Sequence, residues 1–169
     1  MDRLPPIDTS ILPAELQTLA RQVTERAIST LHSGEDVSPF YIVHLPQEGP
    51  DRGVMVPVVS RNQQADLDYV RKLAKERASE WVICVLEGRG LIGDDASKGL
   101  KGRVGSHPDA KPLLFVVLET EGVNFAGMAP ILPYGISKRK RTVREVNFIA
   151  ADGQAFGAFT GIINRQTTH

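Results

Sequence analysis

Early in the chain, Leu16, Leu19, Ala20, Val23, Ala27 and Leu31 fall on one stripe at the 3.6-residue period. That spacing predicts a helix from about Pro13 to His32 with one apolar face. Pro13 suits the first turn, where its missing N–H costs nothing, and Gly34 offers a stop.

The pattern then shortens. Phe40–Leu45 and Val54–Val59 are apolar runs separated by Pro46, Gly49, Pro50 and Gly53, which predicts two strands and a turn-rich link. Pro57 has no N–H to give to a ladder, so the second strand is expected at a sheet edge. Ser60-Arg61-Asn62-Gln63 has the form of a capping box, and Leu67, Val70, Leu73, Ala74 and Ala78 continue from it as the buried stripe of a second helix ending near Ser79.

Trp81–Glu87 and Leu113–Glu119 are the densest apolar runs and read as central strands that carry the core. Asn124–Leu132, Thr142–Ala150 and Ala155–Ile163 follow as a meander, with Asp152-Gly153 as a tight hairpin turn between the last two. Gly157, Gly161 and the small residues of Phe125–Ala129 leave room for the close approach of a helix or, as the alternative, of a partner. The order α-β-β-α-β-β-β-β-β predicts an α+β fold: a mostly antiparallel curved sheet of about six to seven strands, with both helices on one face in two layers. Residues 1–169 are expected to form a single α+β domain, with 1–12 a loosely ordered N-terminal arm and 88–111 a long glycine-rich insertion loop.

Composition narrows the class. The 169 residues are 41% hydrophobic and 24% charged, the balance of a folded protein rather than a disordered one. Cys84, the only cysteine, lies inside an apolar run and reads as a small buried hydrophobe, so no intrachain disulfide forms and a cytoplasmic setting is expected. No apolar stretch approaches the roughly 20 residues that span a bilayer, and Met1–Pro6 lacks the order of a secretion signal, so no membrane association is expected. Net charge is zero, but residues 1–80 hold 12 acids and 9 bases, whereas the remainder holds 8 acids and 11 bases. A polyanion would therefore meet the C-terminal half.

Candidate chemistry is sparse. Gly88-Arg89-Gly90-Leu91-Ile92-Gly93 matches the dinucleotide-binding spacing directly after a strand. The chemistry also needs a helix starting there, yet Asp94-Asp95 would place carboxylates against the phosphate and Gly99 interrupts the helix. No phosphate-binding P-loop or G-x-S-x-G elbow occurs, and His32, His44, His107 and His169 show no metal-ligand spacing. Neither a cofactor nor a metal is expected, and Cys84 is too enclosed for a nucleophile. Glu87 and Glu119 end the two core strands, where antiparallel pairing sets them apart rather than joining them as an acid and base.

One dense basic run remains: Lys138, Arg139, Lys140 and Arg141, with Arg144 close behind. Lys98, Lys101 and Arg103 of the long loop extend it if the two loops converge. The sequence thus points to a non-enzymatic binding or regulatory protein acting by protein-protein contact, as an adaptor, inhibitor or assembly subunit. Its expected partner is another protein or a second copy of itself, met through these eight cations. Two alternatives accompany this reading: a nucleic-acid-binding accessory protein using 138–144, and a small enzyme with 88–111 as its lid.

Overall fold

The computed structural model of the chain describes residues 3–59, 63–90, 108–152 and 161–164. In chain order its elements are β1 (Ile7–Asp8), α1 (Ala14–His32), β2 (Phe40–His44), β3 (Gly53–Pro57) and α2 (Gln63–Arg77). There follow β4 (Trp81–Gly90), β5 (Lys111–Thr120), β6 (Val123–Pro130), β7 (Leu132–Pro133), β8 (Arg141–Thr142) and β9 (Val146–Asp152).

Seven strands form one sheet in the order β1-β9-β6-β5-β4-β2-β3, and β7 pairs with β8 in a separate ribbon. All pairings in the sheet are antiparallel except β1 with β9. The α+β class and the mostly antiparallel sheet are as the sequence predicts. So are the central places of β4 and β5 and the edge place of β3. Because β2 lies between β3 and β4, the chain leaves the edge at Pro57, crosses over β2 as α2, and returns to the interior as β4.

The helices were expected on one face of the sheet; they divide between the two. Leu16, Ala20, Val23, Ala27, Ile28 and Leu31 of α1 pack with Ile42, Ile83, Val85, Val116, Leu118 and Phe125. Val70 and Ala74 of α2 pack with the alternate residues Tyr41, Val43, Val82, Cys84, Val117 and Ala126. Successive side chains of a strand point to opposite faces, so these clusters are the two sides of one sheet. The reason lies in β4 and β5 themselves, which are apolar at consecutive rather than alternate positions: Trp81 to Val85 and Leu113 to Leu118 are all buried. A strand apolar on both faces needs a cover on both.

Three further expectations change. The N-terminal arm is not loose: Ile7 pairs with Val146, Ile7, Thr9 and Leu12 are buried, and Arg21 donates to Ile7 C=O at 2.9 Å and to Thr9 Oγ1 at 3.2 Å. Apolar side chains at the arm's inner positions bind it to the α1 face. Gly88 and Gly90 belong to β4, paired with Leu113 and Lys111, rather than to a loop. A Cβ at Gly90 would come within 2.7 Å of Leu113 Cδ1, so the glycine makes room for a neighbouring side chain and not for a phosphate. Arg141 and Thr142 form β8 apart from β9, which begins only at Val146. Residues 91–107, the capping-box positions 60–62 and residues 153–160, which include Gly153 of the expected hairpin turn and most of the expected strand Ala155–Ile163, lie outside the described residues. Among the described residues no helix is long and apolar enough to cross a membrane.

Candidate functional site

The basic run divides. Lys138, Arg139 and Lys140 are exposed in the β7–β8 connection, which Tyr134 N–H closes by donating to Lys140 C=O at 3.0 Å. Arg144 is also exposed, just past β8. Arg141 instead turns inward. Its guanidinium meets Glu87 with two donors, at 2.9 and 3.0 Å, and Asp36 Oδ1 at 2.7 Å. Glu87 also accepts from Val37 N–H at 2.7 Å. The Glu87 hydrogen bond raises the Arg141 pKa further above its already high ordinary value. Close by, His32 stacks on Tyr134 with ring centres 4.2 Å apart and meets Thr142 Oγ1 at 2.7 Å. Together these contacts dock the ribbon on the end of α1. Lys98, Lys101 and Arg103 lie outside the described residues.

Glu87 and Glu119 are indeed apart: Glu87 pairs with Leu114 and Glu119 with Val82, and β4 runs on past Glu87 to Gly90 rather than ending at it. Glu119 is buried, and its oxygens accept from the backbone N–H groups of Gly161, Ile162, Ile163 and Asn164 at 2.7, 2.9, 2.8 and 3.3 Å. Four successive donors wrapping one carboxylate form an anion nest, opened by the left-handed φ of +89° at Gly161. Sequence reasoning missed this role, because the donors are backbone groups and carry no side-chain signature.

Cys84 lies on the α2 face, and burial pushes its thiol up to about 12. Burial, with Cys84 beside it, also raises the Tyr41 hydroxyl. The thiol is therefore protonated at neutral pH and lacks the reactivity of a thiolate. Among the described residues no group of three His, Cys, Asp or Glu side chains could hold a metal ion.

The most distinctive surface is the β3 edge. Leu45 N–H donates to Arg52 C=O at 2.8 Å, and Val58 N–H to Pro39 C=O at 3.0 Å. With Phe40 opposite Pro57 and His44 opposite Gly53, the alternation of an antiparallel ladder turns residues 52, 54, 56 and 58 toward β2. Gly53, Met55 and Pro57 therefore direct their backbone groups outward, and Pro57 forfeits no bond to β2. The strand has no charged side chain along its length.

Beside this edge a groove of about 650 Å³ runs between β3 and α2. Val54, Val56 and Val59 line it from the strand side, and Asp66, Tyr69, Leu73 and Arg77 from the helix. Val59 is 82% exposed, Tyr69 58%, Met55 44% and Val54 37%, so four of the nine large exposed hydrophobics among the described residues gather here.

The edge is also held firmly. His44 is buried and stacks on Trp81 with ring centres 5.0 Å apart. Its Nδ1 accepts from Glu80 N–H at 3.1 Å, which places the ring proton on Nε2, where it donates to Gly49 C=O at 3.0 Å. Trp81 Nε1–H reaches Pro50 C=O at 2.8 Å. These bonds fix the β2–β3 connection, and with it the strand, before any partner arrives.

Comparison with protein families, curated proteins and solved structures finds no match to this chain.

Proposed function

We propose that this chain is a protein-binding module, adaptor or regulatory in kind, that acts by contact at the β3 edge and its groove. The observation that carries the reading is an uncharged edge strand with no partner on its outer side among the described residues, apolar on its exposed positions, beside a groove whose walls mix Val54, Val56, Val59, Tyr69 and Leu73 with Glu48, Asp66 and Arg77. Strand edges that serve no contact are blunted by lysine, by inward charge or by cover, because bare N–H and C=O groups recruit other strands. Here an added strand finds both backbone groups of Gly53 and Met55, with the groove beside it to receive side chains. The His44 and Trp81 anchors support the reading, since a strand already ordered loses little entropy on binding.

The reading is tested by quantitative affinity purification from the native cell with the wild type, Val59→Glu and Tyr69→Ala. Both variants alter exposed positions, so the thermal midpoint stays within about 2 °C while partner recovery falls about tenfold. Undiminished recovery removes the groove from the reading.

A second reading is favoured by Lys138, Arg139 and Lys140, which stand together on a closed turn with Arg144 beyond it. Four exposed cations suit a nucleic-acid backbone, and binding of labelled DNA or RNA through them falls steeply between two ionic strengths. Absence of binding at low salt ends this reading.

A further inference from the structure

We infer that the occupant of the β3 edge is a second copy of this chain, the two β3 strands pairing antiparallel about a two-fold axis at Met55. The inference rests on the reading of that edge as a contact surface and names its partner.

The edge is self-complementary in its backbone. About an axis at Met55, each Met55 N–H donates to the other copy's Met55 C=O, and each Gly53 N–H donates to the C=O of Pro57 across the seam. The donor that Pro57 lacks falls at the two ends of the seam, where the Gly53 carbonyl is left to water. Side chains follow the same symmetry. An axis perpendicular to the sheet keeps each face on its own side, so Val54 of one copy meets Val56 of the other above the seam, and the two Met55 side chains meet below it.

The stripe of α2 that faces the groove supplies charge complementarity. Asp66, Tyr69, Leu73 and Arg77 recur at steps of three and four, with the acid at one end and the base at the other. The two-fold sets the two α2 helices antiparallel on the same face, three strand spacings or about 14 Å apart. Asp66 then opposes Arg77 of the second copy, and Tyr69 opposes Leu73, each pairing occurring twice. An unrelated peptide strand would satisfy the edge and leave this reversed pattern of charge unanswered.

The pairing also closes. It places the β3 edge of each copy against the same edge of the other about a single two-fold axis, so neither copy offers that edge to a third. Assembly stops at two.

Analytical ultracentrifugation of the full chain at micromolar concentration tests the inference. The expected species has twice the chain mass of 18.5 kDa. Met55→Lys brings two ammonium groups together at the axis and yields a monomer with an unchanged circular dichroism spectrum. Asp66→Arg and Arg77→Asp each weaken the dimer about tenfold, since each breaks two symmetry-related pairs and opposes like charges. The double swap restores affinity to within about threefold of the wild type, a rescue that a purely structural role for these residues would not produce. A wild type that stays monomeric to roughly 100 µM, or a dimer that survives Met55→Lys, overturns the inference. The two failures separate. A monomeric wild type that still loses its partner on Val59→Glu overturns the dimer and keeps the contact surface; one indifferent to Val59→Glu overturns both.

Discussion

The backbone N–H of Gly161 donates to Glu119 Oε2 at 2.7 Å across 42 positions of sequence. Glu119 enters the sheet face covered by α2, where an unpaired carboxylate would carry a large desolvation cost. Four N–H donors offset that cost in place of a cation. In return the carboxylate fixes residues 161–164 against the sheet beside α2, with Ile162 buried in the α2-side cluster and Arg71 Nε donating to Gly161 C=O at 3.1 Å.

Glu119→Gln keeps the shape and removes the charge, and its amide N–H₂ faces donors rather than acceptors. The expected loss is about 2–4 kcal/mol of unfolding free energy, because charged hydrogen bonds are lost and buried N–H groups go unmet. Urea unfolding measures the loss. Hydrogen exchange at the amides of 162–164 localises it, rising there and not at the α1 helix. An unchanged urea midpoint would show that the nest is not the anchor of this turn.

Substitutions in the basic run separate into two outcomes. Arg141→Ser leaves Glu87 partly buried without its bidentate partner and lowers stability by about 1–3 kcal/mol. Changing Lys138, Arg139 and Lys140 to Ser touches exposed side chains only and moves the thermal midpoint by less than about 2 °C. Capture of an acidic partner or a polyanion falls with the triple variant. Equal stability losses in the two proteins would refute the division.

Alkaline pH destabilises the fold through Cys84. The folded thiol holds its proton to about 12, whereas an ordinary thiol releases it near 9.0. Above pH 9 the unfolded chain gives up this proton first, so it binds fewer protons than the folded chain and stability falls as pH rises. The contribution is complete below about pH 9 and is lost between there and 12, with a slope approaching about 1.4 kcal/mol per pH unit. Tyr41, raised from 10.0 in the same site, adds to the slope above pH 10. Urea midpoints measured from pH 7 to 11 follow this decline, and Cys84→Ala flattens it between 9 and 10. A thiol reagent that labels the native protein at pH 7 as fast as the unfolded one would sink the account.

Much of the architecture was legible residue by residue. The stripe from Leu16 to Leu31 locates α1, because side-chain spacing is a local property of the chain. Apolar density marks β4 and β5 as central, and the missing donor of Pro57 places β3 at an edge. The division of the helices between the two faces was misread as one-sided, although the unbroken apolar run Trp81 to Val85 carries its signal, since a strand buried on both faces drops the polar alternation.

Tertiary structure decided what depends on partners far along the chain. Lys138, Arg139, Lys140 and Arg141 are alike as a run of cations. Only the approach of Glu87, 54 residues away, turns Arg141 into an internal clamp and leaves the others exposed. Glu119 was a polar end to a strand until four backbone donors closed around it, and Asp66 to Arg77 was one helical stripe until β3 made it the wall of a groove. Periodicity records which side of an element avoids water; which element meets that side is settled by non-local packing and hydrogen bonding, and no window of sequence contains both partners.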